Sequence, residues 1–235
     1  MILYVNGDSH SAAAEAVNSY CFAEDDSLYY SLGRIPHPDN ERVSYGCNIA
    51  NDLFAVLHCD AESASSNTRI IRTTKQYLRD EGKPDAIIIG WATWEREEWF
   101  HDNIWWQVTA SGTDHLPKEL ATKYKEWVIE TSNRYAINEM DNHKLIWDFH
   151  QYLGDQEIPH LFFNTYNCFS HIKFNNLEQF DWGGSFVEPY LDDYTYYYWL
   201  KNNGCKTVNP QSYHFGPDAH RKWAEFLMPY LTKIL

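Results

Sequence analysis

Asp8, Ser9 and His10 stand side by side near the start of the chain, directly after Met1-Ile2-Leu3-Tyr4-Val5-Asn6-Gly7. Two chemistries fit this knot. A serine hydroxyl becomes a nucleophile when a base lies within hydrogen-bond reach, which makes Ser9 one candidate. Asp8 and His10, alternating at a strand end, are the ligand types of a hard metal centre. Either chemistry needs partners from elsewhere in the chain. Eleven histidines are available as partners.

These groups need a scaffold, and the apolar patterning supplies one. Ile2 to Val5 reads as a buried strand that breaks at Gly7, and Ser11 to Val17 then has the composition of a helix. Glu24 to Tyr45 reads as a loop and Asn48 to Leu53 as a short helix. A second strand is expected over Phe54–Cys59. The small-residue turn Glu62–Asn67 opens a helix that stops at Glu81-Gly82-Lys83-Pro84. Ala86–Gly90 is the clearest buried strand. Trp91 to Pro117 is aromatic and irregular, Lys118 to Leu153 is one helix or two, and His160–Asn164 is a further strand. Tyr166 to Tyr198 reads as a second aromatic loop, lid-like in composition. Lys206-Thr207-Val208 is expected as a short fifth strand, and a closing helix runs from Pro217.

Strands that alternate with helices predict an α/β fold with a mostly parallel, roughly five-stranded sheet covered on both faces. Residues 1–235 are expected to form one domain, with aromatic loop insertions near 91–117 and 166–198. Ligand-binding groups in such folds gather at the carboxyl ends of the strands. Four stretches fall there: Gly7–His10, Ser63–Asn67, Gly90–Arg96 and the loop before the closing helix.

Composition narrows the partners. A net charge of −14 argues against nucleic acid or an anionic membrane, which need basic patches. Ten Trp and seventeen Tyr imply a large aromatic core or an aromatic cleft. The five cysteines are scattered without CxxC spacing, so neither a disulfide framework nor a zinc site is expected. No secretory leader pattern or membrane-spanning run is visible, and the expectation is a cytoplasmic location with no cofactor.

In their order along the chain the four edge stretches resemble the SGNH (GDSL-like) serine hydrolases. Gly7-Asp8-Ser9 is similar to that family's first block, and Ser66-Asn67 to its second, where Ala64 takes the usual Gly position. Gly90-Trp91-Ala92-Thr93 is similar to the third, and His214-Phe215-Gly216-Pro217 to the stretch that opens the last helix. The resemblance implies a flavodoxin-like three-layer α/β/α sandwich. It makes Ser9 the nucleophile and His214 the general base, with an oxyanion hole from the backbone of Ser9 and Ala64 and from Thr93. Asp8, Asn67 and Gln211 become possible site support, and His220 a structural residue. Two departures stand out. Gln211 replaces the Asp that in many members orients the histidine, and the third block carries Ala92 and Thr93 where many have Asn. Asp218 is an alternative acid if the loop folds back.

Asp8-Ser9-His10 also resembles the opening of calcineurin-like metallophosphoesterases. That site needs a later Gly-Asp-x-x-Asp, a Gly-Asn-His and a Gly-His-x-His, and the chain has none of them. Three function classes follow in descending order. The first is hydrolysis of an ester, of a small molecule or carbohydrate, through Ser9 and His214. The second is non-catalytic binding of a ligand or glycan in the same cleft, and the third a metal-dependent phosphoesterase.

Overall fold

The structure, a computed structural model, describes residues 1–23, 34–110 and 116–235. The loops expected at 24–45 and 91–117 therefore lie in part outside the described residues. The elements run β1 (Ile2–Gly7), α1 (Pro38–Glu41), α2 (Tyr45–Asp52), β2 (Val56–Cys59), α3 (Asn67–Asp80), β3 (Ala86–Trp91), β4 (Glu97–His101), β5 (Ile104–Val108), α4 (Ala121–Asn133), α5 (Tyr135–Asp155), β6 (His160–Asn164), α6 (Ser170–Phe174), α7 (Tyr196–Asn202) and α8 (Pro217–Ile234).

β1, β2, β3 and β6 form a parallel sheet in the order β2-β1-β3-β6. Successive strand residues point to opposite faces, and both faces are buried. Leu3, Val5, Ile88, Leu161 and Phe163 meet Tyr45 and Ile49 of α2, Tyr196 of α7 and Trp223 of α8. Tyr4, Ile87, Ile89 and Phe162 meet Ile70 and Tyr77 of α3 and Phe149 of α5. This is the expected mostly parallel α/β arrangement, with helices on both sides.

Among the described residues the sheet has four strands, where about five are expected. Residues 206–208 contribute only an isolated antiparallel bridge, Thr207 to Phe215, and Val208 N–H donates to His214 O at 2.9 Å. The segment thus braces the His214 loop instead of extending the sheet. Ser11–Val17 is not a helix but a run of turns, in which Ala13 (φ 52°) and Glu15 (φ 62°) are left-handed. A left-handed non-glycine residue cannot continue a right-handed helix. The 91–117 stretch contains an antiparallel hairpin, β4–β5, with Asp102 (φ 50°) and Asn103 (φ 61°) at its tip. Its Trp99 and Val108 pack with Tyr124 and Trp127 of α4 into a small separate core. Residues 166–198 are packed, not lid-like: Phe169, Ile172, Trp182 and Phe186 are buried against the α5 face of the sheet.

β1 is followed in space by β2 on one side and β3 on the other, so the chain reverses direction across the sheet at β1. The crevice outside the carboxyl ends of β1 and β3 is where open α/β sheets bind ligands.

Candidate active site

Backbone packing makes that crevice tight. Gly7 and Gly90 face each other in register at the ends of β1 and β3. A Cβ on Gly90 would come within 2.5 Å of Ser11 Oγ and 2.8 Å of Phe163 Cζ. Gly7 adds a φ of +154°, and a Cβ there would meet Ser11 Oγ at 2.2 Å. Only glycine lets the chain turn here and bring Asp8–Ser11 back over the strand end. Ser11 itself is buried and bonded to Tyr45 Oη at 2.9 Å.

The turn holds itself together. Asp8 Oδ1 accepts from His10 N–H (3.0 Å), Ala12 N–H donates to Asp8 O (3.0 Å) and Ala14 N–H to Ser9 O (2.9 Å). Asp8 is buried and its second oxygen is met by Arg96 Nη1 and Thr165 Oγ1, each at 3.2 Å. A guanidinium thus occupies the flank of Asp8 where a metal reading would put the cation. Among the described residues no three His, Cys, Asp or Glu side chains converge as a metal site.

Ser9 and His214 line one cavity of about 380 Å³, together with Asp8, His10, Thr93, Arg96, Tyr166 and Tyr213. No Ser9–His214 hydrogen bond is formed. Such contacts are often long before substrate arrives, and the two residues share a wall of the same cavity. His214 Nδ1 is taken by a residue the sequence reading missed: Glu15, whose Oε2 lies 2.6 Å away. Ser212 Oγ donates to the same oxygen at 2.6 Å and accepts from His214 N–H at 2.9 Å. The hydrogen bond from His214, aided by that from Ser212, holds the Glu15 carboxyl below the usual carboxylate range against the opposing effect of burial. A carboxylate on Nδ1 fixes the tautomer that leaves Nε2 to act as base.

Gln211, the residue at the expected acid position, is exposed, and only its backbone N–H is bonded, to Asn209 Oδ1 at 3.0 Å. Asp218 is exposed in the first turn of α8. Neither meets the imidazole. His10 packs edge-on to His214 with ring centroids 5.3 Å apart. Burial pushes its pKa down to about 4, so it stays neutral beside His214 at neutral pH. His220 is buried further back, accepting from Tyr45 N–H at the start of α2 (3.3 Å).

Neither Ser9 N–H nor Ala64 N–H has an acceptor among the described residues. Ala64 adopts φ 64°, the left-handed conformation that glycine would take more easily. Its turn is held by the buried Arg69–Glu62 ion pair (2.6 Å) and by the Ser66 cap on α3, which accepts from Arg69 N–H at 3.2 Å. Ala64 is buried and does not itself line the cavity. Asn67 is also buried; its Oδ1 accepts from Ala92 N–H (2.8 Å) and its Nδ2 donates to Ala92 O (3.2 Å). It therefore straps the loop after β3 to α3. Thr93 faces the cavity.

No family model matches the chain, and no curated protein matches it. Solved structures do. The chain is similar to an acetyl xylan esterase from the rumen bacterium Butyrivibrio proteoclasticus, at 12% identity and a TM-score of 0.45, over 99% of this chain and 63% of that one. It is similar to a putative lipolytic protein of the G-D-S-L family from Desulfitobacterium hafniense, at 10% identity and a TM-score of 0.42, over 100% and 99% of the two chains. A carbohydrate esterase family 2 enzyme with a carbohydrate binding domain, from Corynascus (Myceliophthora fergusii), matches at 14% identity and a TM-score of 0.45, over 99% of this chain and 66% of that one. The chain thus spans less than two thirds of the first of these.

Proposed function

We propose that the protein hydrolyses esters through a covalent intermediate on Ser9. The observation that carries this reading is Glu15 Oε2 at 2.6 Å from His214 Nδ1, in a cavity that His214 shares with Ser9. In the proposed cycle Ser9 Oγ attacks the ester carbonyl carbon while its proton passes to His214 Nε2. The carbonyl electron pair moves onto oxygen, where the N–H groups of Ser9 and Ala64, which have no acceptor among the described residues, are the proposed donors. Collapse of this intermediate expels the alcohol, which takes the proton from His214. Water then repeats the sequence on the acyl-enzyme and releases the acid. Glu15 keeps the imidazole oriented and balances its charge when it is protonated.

Tyr166 and Tyr213, edge to face with centroids 6.1 Å apart, border the cavity, and Tyr213 is 60% exposed. Such ring faces suit the apolar face of a sugar, which favours an acylated carbohydrate among the ester substrates. The decisive experiment compares wild type and Ser9→Ala on p-nitrophenyl acetate, and locates fluorophosphonate labelling by mass spectrometry. Turnover abolished by the substitution, with the label on Ser9, is expected. Equal turnover in both proteins sinks the reading, and an unlabelled Ser9 with measurable glycan binding favours a binding protein instead.

A further inference from the structure

The loop after β3 lacks a side-chain amide to stabilise an oxyanion, and Ala92 N–H is already consumed by Asn67 Oδ1 (2.8 Å). That leaves Thr93 and Arg96 as its polar groups on the cavity wall. Arg96 is held firmly. Nη1 donates to Asp8 Oδ2 at 3.2 Å and to Ser65 O at 3.4 Å, which ties it at once to the nucleophile's neighbour and to the Ala64 turn. Asp8 is locked in turn by His10 N–H and Thr165. The guanidinium's Nη2 and Nε have no hydrogen-bond partner among the described residues, and the side chain keeps 22% exposure. A fixed cation with unused donors beside a nucleophile is suited to a charge that appears only during reaction.

We infer that Arg96 is the side-chain oxyanion donor of this site. The inference rests on the esterase reading above. As Ser9 Oγ bonds to the carbonyl carbon, the π pair shifts to oxygen and Nη2 or Nε donates to it. When the carbonyl reforms and the alcohol leaves, the same bond weakens. No proton moves to or from Arg96, which acts only as a hydrogen-bond donor. Asp8 on the far side offsets part of the positive charge, which places the expected effect at the low end of the range for such donors.

The test uses wild type, Arg96→Lys and Arg96→Met with p-nitrophenyl acetate, a neutral ester. The expected result is a fall in kcat of roughly a hundredfold in both variants with KM little changed. Affinity for a trifluoromethyl ketone, which captures Ser9 as an anionic adduct, falls in proportion to kcat/KM. Affinity for the matching methyl ketone, which does not, stays near wild type. If Arg96→Met fails to fold, Arg96→Lys still decides the matter, because it retains a cation for Asp8 and loses only the fork. Unchanged kcat on the neutral ester, or equal loss of affinity for both ketones, overturns the inference. A loss confined to KM for carboxylate-bearing esters also overturns it and makes Arg96 a specificity residue. Wild type that neither turns over esters nor labels at Ser9 removes the underlying reading, a result seen before any variant is made.

Discussion

Replacing Glu15 by Gln removes the charge behind His214 and keeps the shape. The amide oxygen can still accept from Nδ1–H, so the tautomer that exposes Nε2 survives. What is lost is the charge-assisted part of a 2.6 Å hydrogen bond that tightens as the ring becomes cationic. Hydrogen bonds to charged groups contribute about 1.5–3 kcal/mol. The side chains here keep 30% exposure for Glu15 and 17% for His214, so solvent screening places the pair at the lower end. A loss of about 1.5–2 kcal/mol from the transition state corresponds to a kcat about 10- to 30-fold lower. That is far milder than the roughly 10⁴-fold loss for the buried triad aspartate of a serine protease. Glu15→Ala, which leaves Nδ1 without a partner, should cost more. Stopped-flow turnover of p-nitrophenyl acetate checks the role. A Glu15→Gln variant within about twofold of wild type refutes the reasoning.

Two further outcomes concern the scaffold. Gly90→Ala places a methyl within 2.5 Å of Ser11 Oγ and 2.8 Å of a fully buried Phe163 ring, and should destabilise the fold by about 1–3 kcal/mol in urea titration; an unchanged midpoint refutes the packing argument. Stability should also fall below neutral pH. Burial pushes His10, His143 and His160 to about 4 and His220 to about 3. Their pKa values are depressed on folding, so the unfolded chain binds the extra protons. The stabilisation is therefore complete above about pH 6.5 and declines toward pH 4, each group contributing up to about 1.4 kcal/mol per pH unit. Glu15 is depressed too, but from a carboxylate's starting point, so its contribution fades only below about pH 4.3. Urea midpoints measured from pH 7 to 5 check this, and a flat profile refutes it.

What the sequence made legible was set by local pattern. β1, β3, β6 and α8 were readable because apolar runs, Gly-Pro stops and Pro starts act within a few residues. The β4–β5 hairpin lies in a stretch that reads as irregular, although Asp102-Asn103 between aromatic strands is the dipeptide chemistry of a tight two-residue turn. The error over Ser11–Val17 has a different origin. Alanines and a glutamate favour helix locally, but distant groups claim this segment. Tyr45 holds Ser11, and Asn40 Oδ1 accepts from Val17 N–H (3.0 Å) and Asn18 N–H (2.8 Å). No short-range signal carries those contacts.

The missed helix and the missed acid are one event. In a helix, Glu15 would follow the register of the turns before it. With Ala13 and Glu15 left-handed, its carboxylate instead reaches a histidine 199 residues further on. The arrangement alters how the site is assembled. Glu15 shares the turn that carries Ser9, closed by the Asp8–Ala12 and Ser9–Ala14 hydrogen bonds. On the proposed reading, nucleophile and acid are then spaced by local geometry, and only the base is delivered from afar. One docking event must place it: Ser212 Oγ bridges Glu15 and the His214 backbone, while Val208 fastens the His214 carbonyl. Ser212 is on this account the residue that converts closure of the C-terminal loop into alignment of the base. Ser212→Ala should therefore lower kcat while leaving the Ser9 turn intact, a combination read by turnover together with the thermal midpoint. A thermal midpoint that falls with no change in kcat would make Ser212 a loop anchor and nothing more.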